Sequence, residues 1–154
     1  MSLVRAWRYL WVAPCTLLGG VAALPALLIG GARASIVRGV IEISGPPQLA
    51  WWARRLPFEA ITLGHLVLAR TPQAMARLRA HERVHVRQAE RWGPLFFVAY
   101  LALGAWQWLR GRGAYADHPF EVEARKCTTT TGDPGMRPTT ADCAPAAGSS
   151  RSNV

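Results

Sequence analysis

Lysine is almost missing from this chain of 154 residues: Lys126 stands alone against 17 arginines, and only nine acids oppose them, so the net charge of +9 is an arginine charge. Such a balance raises nucleic acid as a partner. The arginines are spread along the chain, however, and no nucleic-acid motif accompanies them, so no nucleic-acid role is expected. Attraction to acidic lipid headgroups is the simpler account. Cysteine is scarce too. Cys15, Cys127 and Cys143 form an odd set without paired metal spacing, which argues against a disulfide framework and against a cysteine zinc site. A Cys127 to Cys143 bridge stays open for a compartment outside the cytosol. No internal repeat is present.

Charge itself is absent from Tyr9 to Ala32, over 24 positions. A helix of that length crosses a hydrocarbon layer of about 30 Å. Arg5 and Arg8 before the run, and Ala32-Arg33-Ala34 after it, also suit a cleaved signal peptide. The run exceeds the ~7 to 15 residues of a signal core, and Trp7 and Trp11 suit the headgroup boundary, so residues 1–32 are read as an uncleaved membrane anchor. Pro14, Pro25 and Gly19-Gly20 weaken this helix without excluding it. Arginine on both sides assigns it no orientation.

What the chain does have is His81-Glu82-Arg83-Val84-His85, a stretch whose residue types and spacing together demand a chemistry. Two histidines four apart on a helix point the same way and can grip one zinc, while the glutamate beside the first can take a proton from activated water. Thr71-Pro72 supplies an N-cap and a first-turn proline, and Gly93-Pro94 supplies a stop, so a helix of about twenty residues is expected around the motif. Met75, Leu78, His85, Ala89 and Trp92 recur at helical steps and should face inward; Arg77, Arg79, Arg83, Arg87 and Arg91 form a cationic face outward. The bland alternative has His81 and His85 as hydrogen-bonded core histidines and Glu82 as the partner of a nearby arginine.

Two histidines leave tetrahedral zinc short of one protein ligand, since a catalytic site normally uses three. Candidates lie in Asp117-His118-Pro119-Phe120-Glu121-Val122-Glu123, where Pro119 can open a helix with Glu121 and Glu123 in its first turn. Being two apart, those carboxylates cannot share a face, so one of them at most reaches the metal. Asp117 and His118 are weaker candidates, His118 being read as a loop histidine. His65, on an expected strand, is a further site candidate whose bland reading is structural.

HExxH followed by Glu-x-x-Ala resembles the gluzincin zinc metallopeptidases, especially the membrane-embedded kinds. The strings GHLVLAR, HERVHVRQAERWGPLF and HPFEVEAR are similar to those of a group of small bacterial membrane proteins. That closer likeness covers roughly residues 58 to 126; the likeness to peptidases is confined to the two motifs. The resemblance implies His81, His85 and Glu121 as zinc ligands, Glu82 as general base, and a bacterial cell membrane as the location. One departure is plain: the peptidase motif usually continues with an Asp that orients a ligating histidine, and here that position is Arg125.

A second apolar stretch, within residues 94–109, offers about 15 helical residues or roughly 22 Å, short for a crossing. A crossing there would also put His85 and Glu121 on opposite sides. Leu95 to Leu109 is therefore expected to be a buried or interfacially embedded helix packed on the HExxH helix. Ile36 to Ile43 and Ala60 to Ala69 read as two strands, the second exposing Ile61, Leu63, His65 and Val67 on one face. In the resembled peptidases an edge strand receives the substrate backbone, and Ala60 to Ala69 would do so here by strand addition. Leu49 to Arg55, aromatic beside basic, suits an interfacial segment on anionic lipid. From 127 onward the composition turns to Thr, Pro, Gly, Ala and Ser, so 127–154 is expected to be a disordered tail.

The expectation is thus a mainly α fold with a small β-sheet, an α+β domain of minimal gluzincin-like form over residues 33–126, behind an N-terminal transmembrane helix. The expected function is a membrane-anchored zinc metallopeptidase contacting membrane lipid and an unidentified peptide or protein substrate. The other readings are a non-catalytic membrane protein with a structural or regulatory zinc, and a metal-free small membrane protein.

Overall fold

The computed structural model describes residues 3–28, 31–45 and 58–131. Helix α1 (Leu3–Leu28) leads into a hairpin of β1 (Arg33–Val37) and β2 (Val40–Ser44). A second hairpin, β3 (Ala60–Leu63) and β4 (Leu66–Ala69), precedes three helices: α2 (Pro72–Trp92), α3 (Leu95–Leu109) and α4 (Pro119–Thr131). The sheet is mixed, in the order β1-β2-β4-β3, with β2 and β4 parallel and both hairpins antiparallel. The protein is therefore mainly helical with a small four-stranded sheet, an α+β arrangement.

Each stretch expected as one strand is a hairpin, because a two-residue turn interrupts it. Arg38 and Gly39 both take positive φ, 50° and 82°, as a type I′ turn requires, and Gly64 at φ 67° occupies the first turn position of the other hairpin. A Cβ on Gly64 would also lie 2.4 Å from Thr16 Oγ1 and 2.8 Å from the Thr16 backbone nitrogen, so glycine is needed there twice over. The turn puts Val67 on the face of Thr62, toward α2, rather than with Ile61 and Leu63, and it makes β3 an edge strand while β4 lies inside the sheet.

Alternation along the strands gives each face of the sheet a cover. Val40, Val67 and Ala69 pack with Ala74, Met75 and Val86 of α2. Ile41, Ile43, Leu66 and Leu68 gather with Ala23 and Leu27 of α1. Helix α1 is long and apolar enough to cross a bilayer, a test that a signal sequence or a core helix would also pass. It does not stand apart from the domain. Val12 and Ala23 are fully buried, Tyr9 donates to Gly39 O, Thr16 accepts from the His65 amide, and Arg8 pairs with Glu90. Its other side carries Trp7, Leu10, Leu17, Leu18, Val21 and Leu24 outward.

Helix α2 begins and ends where its punctuation dictates. Thr71 accepts from the Ala74 amide as N-cap, Pro72 starts the helix, and Gly93 at φ 58° stops it. Its arginine face is less solvated than expected: Arg79 grips buried Glu42 of β2 through two nitrogens, Arg83 reaches the same carboxylate, and Arg91 reaches Glu123. Trp92, expected inward, is 43% exposed. Helix α3 has the expected bounds but is not buried: Phe96 alone is, while Leu95, Val98, Leu101, Trp106, Trp108 and Leu109 face outward. The chain then turns back, and α4 runs through Cys127 to Thr131, taking in the first five residues of the stretch expected as a disordered tail. Cys127 is buried against Val84 and Ala124, which is why the helix continues. Leu49 to Arg55, Cys143 and the tail beyond 131 lie outside the described residues.

Candidate metal centre

The site forms where the middle of α2 meets the first turn of α4. His81 and His85, one helical turn apart, present their Nε2 atoms to each other at 3.1 Å. Pro119 opens α4 at its first position, and this sets Glu121 two residues into the helix, facing α2. Glu121 Oε2 lies 3.2 Å from His81 Nε2, and Oε1 lies 3.3 Å from His85 Nε2. Ligand atoms of these three residues thus fall within 4.8 Å of one another, a group that could hold a metal ion.

The donor set fits a small cation on three counts. Ligands of a tetrahedral set, each ~2.0 to 2.1 Å from the ion, stand about 3.3 Å apart; the two imidazole nitrogens at 3.1 Å meet this, and the carboxylate brings one oxygen to each ring, Oε2 to His81 at 3.2 Å and Oε1 to His85 at 3.3 Å. Glu121 Oε2 is buried yet takes no hydrogen bond of acceptable geometry. Two imidazole nitrogens and a carboxylate also converge with more lone pairs than protons, an arrangement that a cation relieves.

Protons relieve it in the metal-free protein. Burial opposes charging His85, but the hydrogen bond and charge of Glu121, with help from Gln88, outweigh it and lift His85 above its ordinary value. Burial likewise opposes charging Glu121, yet the close imidazoles of His81 and His85 and the hydrogen bond from Tyr100 hold it far below the usual carboxylate range. Tyr100 of α3 donates its hydroxyl to Glu121 Oε1 at 2.7 Å. Tyr115 stands near the same carboxylate, and partial burial and that charge push its phenol up to about 12.

Glu82, 5% exposed, pairs with no arginine among the described residues. Its Oε2 accepts from Thr62 Oγ1 of β3 at 2.7 Å, and among the described residues nothing hydrogen-bonds Oε1. Of the two carboxylates of α4, the docking of α4 on α2 brings Glu121 into the group that could hold a metal ion. Glu123, two residues on, turns away and meets Gln88 Nε2 at 2.9 Å and Arg91. Asp117 accepts from the Gly113 amide and takes no part in the metal group. His118 lies in the loop before α4, as expected, and is fully buried there; its Nε2 meets Tyr100 O, its ring stacks on Tyr100, and it too stays outside the group. His65 is structural here, its ring stacked on Tyr9 and its Nε2 3.0 Å from Glu90 Oε1.

Three contributors carried no sequence signal strong enough to single them out: Thr62, Tyr100 and Gln88. The first two come from distant segments. Gln88 lies three residues after His85 on one helix face, a spacing that was available. The Arg125 side chain, at the position where an orienting Asp was missed, reaches Ala116 O instead. No family model, no curated protein and no solved structure matches the chain, so the chemistry of the site rests on its own geometry.

Proposed function

We propose that this chain is a membrane-associated metallopeptidase of gluzincin type, with zinc held by His81, His85 and Glu121. The observation that carries the proposal is the convergence of the His81 and His85 Nε2 atoms with the Glu121 carboxylate, one oxygen to each ring, with a buried carboxylate, Glu82, next in sequence to one of the ligands. A bound zinc would supply Lewis acidity, polarising a peptide carbonyl and making water a better acid.

Everything else is work for the residues themselves. Glu82 is the general base: Thr62 holds Oε2 and leaves Oε1 to take a proton from the attacking water and pass it to the leaving amine. Tyr100 holds Glu121 through Oε1 and keeps its carboxylate turned toward the histidines. Strand β3 is the sheet edge beside α2, and an extended peptide adding to that edge would run past Thr62 and Glu82. The exposed apolar faces of α1 and α3, and Arg110 and Arg112 at the end of α3, support a location at a membrane.

Metal content of detergent-purified protein tests the reading. About one zinc per chain is expected, lost in His81→Ala and weakened in Glu121→Ala, while Glu82→Gln keeps the metal and loses hydrolysis of a peptide library. Metal retained without hydrolysis in the wild type would favour a structural or regulatory zinc. A chain that takes up no zinc would end the enzyme reading.

A further inference from the structure

Gln88 is buried, 2% exposed, and stands between α2 and the first turn of α4. Its Nε2 lies 3.1 Å from Phe120 O and 2.9 Å from Glu123 Oε2, both of which only accept. The amide nitrogen must therefore face α4, and Oε1 must face the other way. It lies 2.8 Å from His85 Nδ1. An amide oxygen can only accept, so Nδ1 must carry the proton, and neutral His85 is left with its lone pair on Nε2, the atom that faces His81 and Glu121. The two acceptors on α4 thus decide a tautomer on α2.

We infer that Gln88 is the positioning residue of the proposed metal centre and that it sets two of the three ligands at once. Through Oε1 it fixes which nitrogen of His85 is free to bind. Through Nε2 it ties down the turn of α4 that carries Glu121, since Phe120 and Glu123 flank that residue in sequence. It fills the orienting role left open by Arg125, from the neighbouring helix. The geometry explains why a side chain with both an acceptor and two donors stands there: a carboxylate would repel Glu123, and an apolar residue would leave His85 Nδ1 buried without its acceptor. The inference rests on the metal reading for what Nε2 does, but the tautomer belongs to the metal-free protein.

Two measurements on the full-length chain in detergent test it separately. The first is nitrogen NMR of histidine-labelled, metal-free protein, at a pH high enough for His85 to be neutral. The wild type should show His85 protonated at Nδ1, and Gln88→Leu should shift it toward the Nε2-protonated form or a mixture. The second is zinc affinity by competition with a chelating dye, where Gln88→Leu should weaken binding about 10- to 100-fold, as lost orienting partners do. Should Gln88→Leu fail to fold, the pair Gln88→Glu with Glu123→Gln exchanges carboxylate and amide across the same contact, and it should keep the Nδ1 tautomer and recover affinity to within about tenfold of wild type. A merely structural glutamine would lower thermal stability and leave the tautomer unchanged; a folded Gln88→Leu, or in its absence a folded exchange pair, that departs from these tautomers would overturn the inference. Wild-type protein with the expected tautomer but no zinc binding would instead sink the metallopeptidase reading and leave the role of Gln88 in place.

Discussion

Helices α2 and α3 follow one another in the chain and differ in opposite directions from what their compositions promise. Helix α2 is crowded with arginine and other polar residues, yet it buries eight side chains, among them Glu82, His85 and Gln88. Helix α3 is apolar from end to end and buries one, Phe96. Burial follows the partners an element finds, and α2 finds the sheet on one side and α4 on another. The polar groups it takes inside are all tied: Glu82 to Thr62, His85 to Gln88 and Glu121, Gln88 to α4. Helix α3 meets the rest of the protein mainly through Phe96 and Tyr100 and leaves much of its remaining apolar surface exposed.

Sidedness is the sharpest way to break this contrast. If α3 lies in the bilayer surface without crossing, cysteines introduced by Arg87→Cys and by Arg112→Cys should be labelled from the same side of sealed proteoliposomes. Labelling from opposite sides would separate His85 from Glu121 and end the three-ligand site. Chemistry comes next: Glu82→Gln should cut hydrolysis by about 10² to 10⁴ while zinc content holds, and undiminished turnover would remove Glu82 from the role of base. Packing follows. Phe96→Ala should cost about 3 kcal/mol or more in thermal unfolding, against no more than ~0.5 kcal/mol for Phe97→Ala, whose ring is 40% exposed. Equal costs would mean that α3 is covered within the protein.

Smaller effects are expected from pH and from the cap. With metal removed, Glu121, depressed in the folded protein, stabilises above its ordinary value of 4.5, and that share is lost as pH falls toward the depressed value. His85, raised in the folded protein, stabilises below its ordinary value of 6.5, and that share is lost as pH rises through the raised value. The site should therefore support the metal-free fold best between about 4.5 and 6.5, and added zinc should move the optimum upward by replacing the proton on His85. A zinc-independent optimum in urea titrations at several pH values would show that these groups do not share an ion. Thr71→Ala should cost about 1 kcal/mol, through the lost bond to the Ala74 amide at the start of α2.

The bounds of α2 were legible because every signal for them is local: a threonine cap, a proline, a glycine stop. The bounds of α3 and the start of α4 at Pro119 were legible for the same reason. The two hairpins were not. Arg38-Gly39 and Gly64-His65 lie inside runs that alternate like single strands, and the second lacks the Asn-Gly or Asp-Gly pair that marks such turns. That error also put Val67 on one face with Ile61 and Leu63, whereas it shares the α2-facing side with Thr62, the partner of Glu82. The end of α4 was misplaced because composition changes at Cys127, while burial of Cys127 against Val84 is a contact between elements.

Spacing along one helix was enough to bring His81 and His85 onto a common face, since backbone periodicity makes residues four apart neighbours whatever surrounds them. The same rule showed that Glu121 and Glu123 must part company. Which of them would face the histidines depended on how α4 docks on α2, and no periodicity carries that. The docking brought Glu121 to 3.2 and 3.3 Å from the imidazoles, gave Glu123 to Gln88 and Arg91, and let an amide on one helix choose the proton position on a histidine of its own turn by what it meets on another. Local geometry is written in neighbouring residues; the meeting of two helices depends on every side chain packed between them.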